Sequence, residues 1–281
     1  MSIVGSTPVM IWVNGRLSTE EDARISPFDH ALLTGDGVFE TMKVERGVPF
    51  AVRRHLERLA RSAGGLGLDA PPDDTVRAAL ADVIQANRVA DGVARITLTG
   101  GPAPLGSDRG SAGPTLIVAC GPPRGWGVSA AVAVAPWPRN ERSALAGLKT
   151  VSYAENVIAL REARQRGAEE AVFGNLDGRL CEGTGTNVYV GIGGHMLTPP
   201  LTSGCLAGVT RDLLLELGAV EEEDVPLSAL AEADEAFLTS STRDVQAIAS
   251  VDGTALPAAP GPLTKAAADA FQALQERDAD P

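Results

Sequence analysis

An α+β fold in two lobes is what the 281-residue sequence predicts, and three observations carry that expectation. Strand-like and helix-like patterns alternate along the chain without an internal repeat. With 44% hydrophobic and 21% charged residues, the chain has the composition of a globular protein able to bury a core. The stretch Gly121-Pro122-Pro123-Arg124-Gly125 then stops both helix and sheet, because prolines and flanking glycines suit neither. The expected division is an N-terminal α/β domain over 1–121, a linker over 122–128 and a C-terminal domain over 129–281.

The elements follow in order. Met10–Val13 followed by Asn14-Gly15 reads as a hairpin opening. Gly37–Val44 and Val48–Val52, flanking Arg46-Gly47, read as a second hairpin. Arg54–Ala63 has helical spacing and is expected to stop at Gly64-Gly65. Asp73-Asp74 begin an alanine-rich helix to about Asn87, and strands over Ala94–Thr99 and Thr115–Cys120 flank a Gly/Pro/Ser-rich loop. Beyond the linker come a strand over Val128–Ala135 and a helix opened by Ser152 and Glu155 as a capping box, ending near Gly167. Strands from Val172 and over Asn187–Val190 are separated by an Asp177-Gly178 turn. A helix from Gly208 to Gly218, strands Ala236–Ser240 and Val245–Val251, and a helix from Pro262 complete the chain.

Composition excludes several functions. The net charge of −12 and pI near 4.7 oppose binding to a nucleic-acid backbone. No apolar run has membrane-span length, and Met1–Ser6 lacks the pattern of a secretory leader. Cys120, Cys181 and Cys205 show no CxxC spacing and read as reduced thiols of a cytoplasmic protein. His30, His55 and His195 are too scattered for a zinc site, so no metal is expected.

Of 24 basic residues only Lys43, Lys149 and Lys265 are lysine, and arginine cannot supply a neutral amine for attack on a carbonyl. Lys43 falls on an alternating strand and Lys265 on a solvated helix. Lys149 instead follows apolar Leu145, Ala146, Gly147 and Leu148, a setting that lowers an amine's pKa. Gly208-Val209-Thr210 at a helix start and the hydroxyl-rich turn Ser240-Ser241-Thr242 are candidate phosphate cradles, with Arg58 adding charge. Each is common by itself. Glu182, followed by small residues through Gly185, is either a solvated turn carboxylate or an acid held against a heteroaromatic ring. Lysine, phosphate cradle and acid together match the aldehyde, phosphate and ring nitrogen of pyridoxal 5′-phosphate. Gly35–Glu40 lacks the third glycine of a dinucleotide loop.

On six ordered motifs the chain resembles the class IV aminotransferases, pyridoxal-phosphate enzymes of fold type IV. These are His30–Leu32 leading into Gly35–Glu40, His55–Leu59, Leu145–Lys149, Glu182–Asn187, Leu206–Asp212 and Phe237–Thr242. The resemblance implies a smaller N-terminal α/β lobe and a larger, barrel-like C-terminal lobe that binds the cofactor. It also implies a homodimer acting on amino acids and keto acids. By the same resemblance Lys149 is the Schiff-base lysine, Glu182 the partner of the pyridine nitrogen, Arg58 a phosphate ligand and Leu206 the residue packed on the ring. Val209, Thr210, Ser241 and Thr242 match the remaining phosphate contacts. Tyr153 matches a tyrosine beside the ring hydroxyl, one residue nearer the lysine than in branched-chain enzymes.

Substrate class is less sharply marked. Gly35–Glu40 resembles the D-amino acid aminotransferases and aminodeoxychorismate lyases, which favours a ping-pong transaminase acting on D-alanine and 2-oxoglutarate. Yet Gly100 stands where the D-enzymes carry an arginine, and the loop after it has no histidine. Arg109 is the replacement carboxylate ligand, or a solvated arginine paired with Asp108. Arg95 matches an arginine of branched-chain enzymes, Arg243 follows the phosphate turn, and Phe39 completes the candidate substrate contacts. Glu40 stands where some lyases have threonine, which favours transamination over elimination, with aminodeoxychorismate lyase of the folate pathway and then a branched-chain L-amino acid aminotransferase as the alternatives. A cofactor-binding protein without turnover is the remaining alternative.

Overall fold

The computed structural model describes residues 8–281, so the opening Met1–Ser6 stretch, read above for a leader, lies outside the described residues. The chain forms two units. One takes the described chain up to Arg124 together with Lys149–Ser152 and Asp280; the other holds Gly125–Leu148, Tyr153–Ala279 and Pro281.

In the first unit, β1 (Met10–Val13) and β2 (Arg16–Thr19) form the hairpin read from Asn14-Gly15, both of which adopt positive φ. The short helix α1 (His30–Thr34) is capped by the Asp29 side chain, which accepts from the Ala31 N–H. Strands β3 (Gly37–Glu45) and β4 (Val48–Pro49) make the second hairpin. The returning strand is shorter than expected: Ala51 turns left-handed and α2 (Val52–Gly65) begins there. That helix runs through Gly64 and Gly65 and gives way at Gly67, whose φ of +67° supplies the left-handed stop. Helix α3 (Asp73–Asn87) and strands β5 (Gly92–Thr99) and β6 (Thr115–Gly121) complete the unit. The sheet is antiparallel in the order β2-β1-β6-β5-β3-β4.

Alternation sorts the sides of β3. Val38, Met42 and Val44 enter a core with Leu56 and Leu59 of α2, Val76, Leu80 and Val83 of α3, and Ile96 and Leu98 of β5. Phe39, Thr41 and Lys43 take the other side, and Lys43 pairs with Glu45 at 2.6 Å. This is the half-exposed structural lysine anticipated for that position.

The second unit opens with β7 (Ser129–Val134), α4 (Ala154–Gln165), β8 (Glu170–Gly174) and β9 (Leu180–Gly183). It continues through β10 (Asn187–Ile192), β11 (His195–Thr198), α5 (Val209–Glu216) and β12 (Glu221–Glu222). It ends with α6 (Ala229–Glu232), β13 (Glu235–Ser240), β14 (Asp244–Val251), β15 (Thr254–Ala255) and α7 (Pro262–Arg277). The mixed sheet runs β12-β11-β10-β13-β14-β7-β8-β9, with β15 on β14. One core gathers Val172, Leu180, Val188, Val190, Leu230, Leu238 and Ile248. A second packs Ala159 and Ala163 of α4 on Ala133, Ala171 and Phe173.

The capping box expected at Ser152 and Glu155 does not form. Tyr153 is the N-cap of α4, without a side-chain cap bond, and the Ser152 hydroxyl donates to the Gly35 carbonyl. Burial pushes the Cys120 and Cys205 thiols up to about 11 and raises that of Cys181, so all three remain protonated packing groups.

Candidate active site

Lys149 belongs to the first unit, where it is held by backbone pairing. Its carbonyl accepts from the Phe39 N–H at 3.0 Å, and the Val151 N–H donates to the Gly37 carbonyl at 2.8 Å. Val38 and Thr150 form an antiparallel bridge between them. Residues 149–151 thus lie along the start of β3. This approach, together with the pairing of β3 with β5, explains two glycines of the Gly35–Glu40 motif. A Cβ on Gly35 would stand 2.7 Å from the Ser152 hydroxyl, and one on Gly37 would stand 2.8 Å from the Leu98 carbonyl oxygen and 3.3 Å from a Val151 methyl.

The Lys149 ammonium sits 4.4 Å from the centroid of the Phe39 ring, and the Arg95 guanidinium 3.8 Å from the same ring. Three sequence-derived candidates are therefore brought together here. The apolar surface beside the amine is Phe39 rather than the residues preceding it, since Leu145 remains 39% exposed.

Beneath β3, on its other side, Glu40 is fully buried and binds Arg58 through two bonds, Nε to Oε1 at 2.8 Å and Nη2 to Oε2 at 2.7 Å. His55 Nδ1 lies 2.7 Å from Oε2 of the same carboxylate. Burial alone would raise the Glu40 pKa, but the charge and hydrogen bonds of Arg58, with His55, outweigh it and hold the carboxyl well below its usual range. Burial lowers His55, which is therefore neutral at pH 7. Glu40, read from sequence as a marker of reaction type, is turned toward α2 and is the counter-ion of Arg58.

Arg109 is held by Asp36 rather than by Asp108. Its Nε and Nη2 donate to the two Asp36 oxygens at 2.5 and 2.6 Å, and Nη1 donates to the Gly67 carbonyl at 3.1 Å. His30 joins the same carboxylate at 2.7 Å and is raised by that bond.

In the second unit Glu182 lies on β9, opposite Phe173 of β8. Its Oε2 accepts from the Leu206 N–H at 2.8 Å, and Oε1 lies 3.2 Å from Arg139 Nε. Arg139 stacks 4.1 Å over the Phe173 ring, donates to Glu155 at 2.5 Å and to Asn156 Oδ1 at 2.8 Å. Asn156 in turn donates to the Thr184 carbonyl at 2.7 Å. Sequence reading missed Arg139, whose partner is 43 residues away and marked by no local pattern. Tyr153 is beside the same motif, since a Cβ on Gly185 would lie 3.7 Å from its hydroxyl. Burial raises the Tyr153 pKa, which keeps it a neutral phenol. Arg243 is engaged within this unit by Glu170 at 2.5 Å, by Gln246 at 2.9 Å and by the Trp126 ring at 3.9 Å.

The anion cradle is built on the same unit. Gly208 is the N-cap of α5 without a side-chain cap, and Val209 and Thr210 of the first turn are buried. A Cβ on Gly208 would fall 2.0 Å from Asn187 Oδ1, so only glycine fits there. Asn187 also donates to the Leu206 carbonyl at 2.9 Å, and it pairs with Thr239, which leads into the turn carrying Ser241 and Thr242. An uncapped helix start packed around a glycine, a hydroxyl-bearing turn and an arginine-held carboxylate fit a phosphate and a pyridinium nitrogen. Val209, Thr210, Ser241 and Thr242 would hold the phosphate, and Glu182 the ring nitrogen. Among the described residues no cluster of His, Cys, Asp and Glu could hold a metal ion.

These features define a pyridoxal-phosphate enzyme of fold type IV. Comparison with known proteins agrees: residues 37–251 match the family model for amino-transferase class IV. A putative branched-chain-amino-acid aminotransferase of Methanocaldococcus jannaschii is 32% identical, covering 86% of this chain and 88% of that one. A D-alanine aminotransferase of Bacillus licheniformis is 31% identical, covering 92% and 94%. An aminodeoxychorismate lyase of Bacillus subtilis is 34% identical, covering 84% of each. The crystal structure of the Escherichia coli branched-chain amino acid aminotransferase superposes with a TM-score of 0.88 at 28% identity, covering 95% of both chains. The chain belongs to the class IV aminotransferases, which use pyridoxal 5′-phosphate.

Proposed function

We propose that the chain transfers the amino group of aliphatic L-amino acids, branched ones included, to 2-oxoglutarate in a ping-pong cycle. The observation that carries this reading is the Phe39 ring with Lys149 on it at 4.4 Å and Arg95 at 3.8 Å. It puts a guanidinium for the substrate carboxylate on the same ring as the amine assigned to the chemistry. The D-amino acid expectation drew on the Gly35–Glu40 stretch, whose two glycines answer to the docking of Lys149–Ser152 and the pairing with β5 without reference to substrate handedness. Arg109, the D-side candidate, is already occupied by Asp36.

The cofactor supplies an aldehyde for the amine and a ring that takes up an electron pair. The residues supply the rest. Lys149 would move the proton at the substrate Cα, Glu182 would keep a proton on the ring nitrogen, and Arg139, 3.2 Å from Glu182, orients it. Tyr153 would offer a neutral hydroxyl to the ring oxygen, Leu206 would pack on the ring, and Arg58 would add positive charge for the phosphate. The reading includes a homodimer in the cytoplasm. Among the described residues no helix is long and apolar enough to cross a membrane.

A second reading, D-amino acid transamination, is favoured by the 31% identity to the D-alanine aminotransferase over 92% of the chain. A half-reaction without keto acid separates the two. L-Leucine is expected to bleach the visible band of the loaded protein and D-alanine to leave it; the reverse result sinks the L reading. If neither amine bleaches it, pyruvate release from aminodeoxychorismate becomes the assay. Arg95→Met is expected to lower kcat/KM for leucine about 100-fold with cofactor binding intact.

A further inference from the structure

We propose that Ser62 is a positioning residue for Lys149, fixing the backbone from which the reactive amine extends; the inference rests on the reading that Lys149 bears the cofactor. Ser62 lies on the inner side of α2 and is 1% exposed. A buried hydroxyl needs a partner, and in a helix it commonly turns to its own backbone. Here its Oγ instead accepts the Lys149 backbone N–H at 3.1 Å, 87 residues away in sequence. The other end of the same residue is held by the Phe39 N–H on the Lys149 carbonyl at 3.0 Å. The side chain then reaches the Phe39 ring, 4.4 Å from the ammonium. Lys149 is anchored at its N–H, its C=O and its amine, and β3 provides only the last two.

The third anchor joins Lys149 to the helix that carries Arg58. Residues 55, 58 and 62 follow the i, i+3, i+7 spacing of one helix side. His55 and Arg58 grip Glu40, and Ser62 grips Lys149. Arg58 and Ser62 are about 6 Å apart along the axis. One rigid side of α2 therefore fixes both the arginine assigned to the phosphate and the lysine assigned to the aldehyde. Without the Ser62 oxygen, the Lys149 N–H loses its acceptor at a half-buried site, and the lysine arm gains freedom that covalent attachment must remove again.

The test uses the cofactor-loaded enzyme and Ser62→Ala, Ser62→Thr and Ala79→Gly. The last destabilises the buried side of α3, away from Lys149. Ser62→Ala is expected to raise the apparent Kd for pyridoxal phosphate about tenfold, and to shift the pH midpoint of the visible band by about half a unit or more. Ser62→Thr, which keeps the acceptor oxygen, is expected to restore both, and Ala79→Gly to change neither. Wild-type Kd and midpoint in Ser62→Ala, or the same changes in Ala79→Gly, would overturn the proposal. Borohydride reduction and peptide mapping separate its failure from that of the underlying reading. A label on Lys149 with unaltered Ser62→Ala defeats the Ser62 role alone, and a label on Lys43 or Lys265 defeats both.

Discussion

Helices α5 and α7 of the second unit begin in opposite ways. At α7 the buried Glu235 carboxylate accepts from the Leu263 N–H at 3.0 Å, the Thr264 N–H at 2.8 Å and the Thr264 hydroxyl at 2.6 Å. At α5 the N-cap is Gly208, no side chain caps the turn, and Val209 and Thr210 are nevertheless buried. A helix start carries unpaired N–H groups and a partial positive charge. The protein supplies its own anion to one start and no side-chain cap to the other, where we place the phosphate. In the first unit Glu40 is likewise a built-in buried anion, the counter-ion of Arg58. Built-in anions of this kind serve stability, and we assign binding to the open start.

The difference can be broken from either side. Glu40→Gln strips Arg58 of its buried anion and should cost about 3–5 kcal/mol in denaturant unfolding. The same contact gives a pH dependence. The Glu40 pKa is depressed on folding, so its contribution is present above about pH 4.3 and is lost as pH falls, because the unfolded chain then binds the extra proton. The wild type should lose stability in acid faster than Glu40→Gln does. Glu235→Ala should cost about 2 kcal/mol, from three bonds removed at a buried end, and leave the Kd for pyridoxal phosphate unaltered. Thr210→Val keeps shape and burial but removes a hydroxyl. It should weaken cofactor binding about fivefold, roughly 1 kcal/mol, with little change in unfolding. If Thr210→Val left the Kd unchanged while Glu235→Ala raised it, the distinction between open and closed helix starts would fail.

What could be read from sequence was what neighbouring residues encode together. Asn14-Gly15, the His55–Arg58 spacing on α2, the helix at Asp73 and the glycine at the start of α5 all have their cause within a few residues. Lys149 was singled out by scarcity and context. The errors have long-range causes. Ser152 left its capping box for the Gly35 carbonyl, 117 residues away. Arg109 passed over its neighbour Asp108 for Asp36, 73 residues distant. The partners of Ser62 and Arg139 are brought in by strand pairing, which no local pattern identifies. A polar residue on the apolar side of α2 was the one available hint for Ser62.

The central claim, that Lys149 does the chemistry, is tested most directly by a single turnover. Wild type and Lys149→Ala would each be loaded with pyridoxal phosphate, mixed with L-leucine, and the formation of the corresponding keto acid followed. The account predicts one equivalent from the wild type and a rate at least about 1,000-fold lower from Lys149→Ala. Equal rates from the two proteins would contradict it.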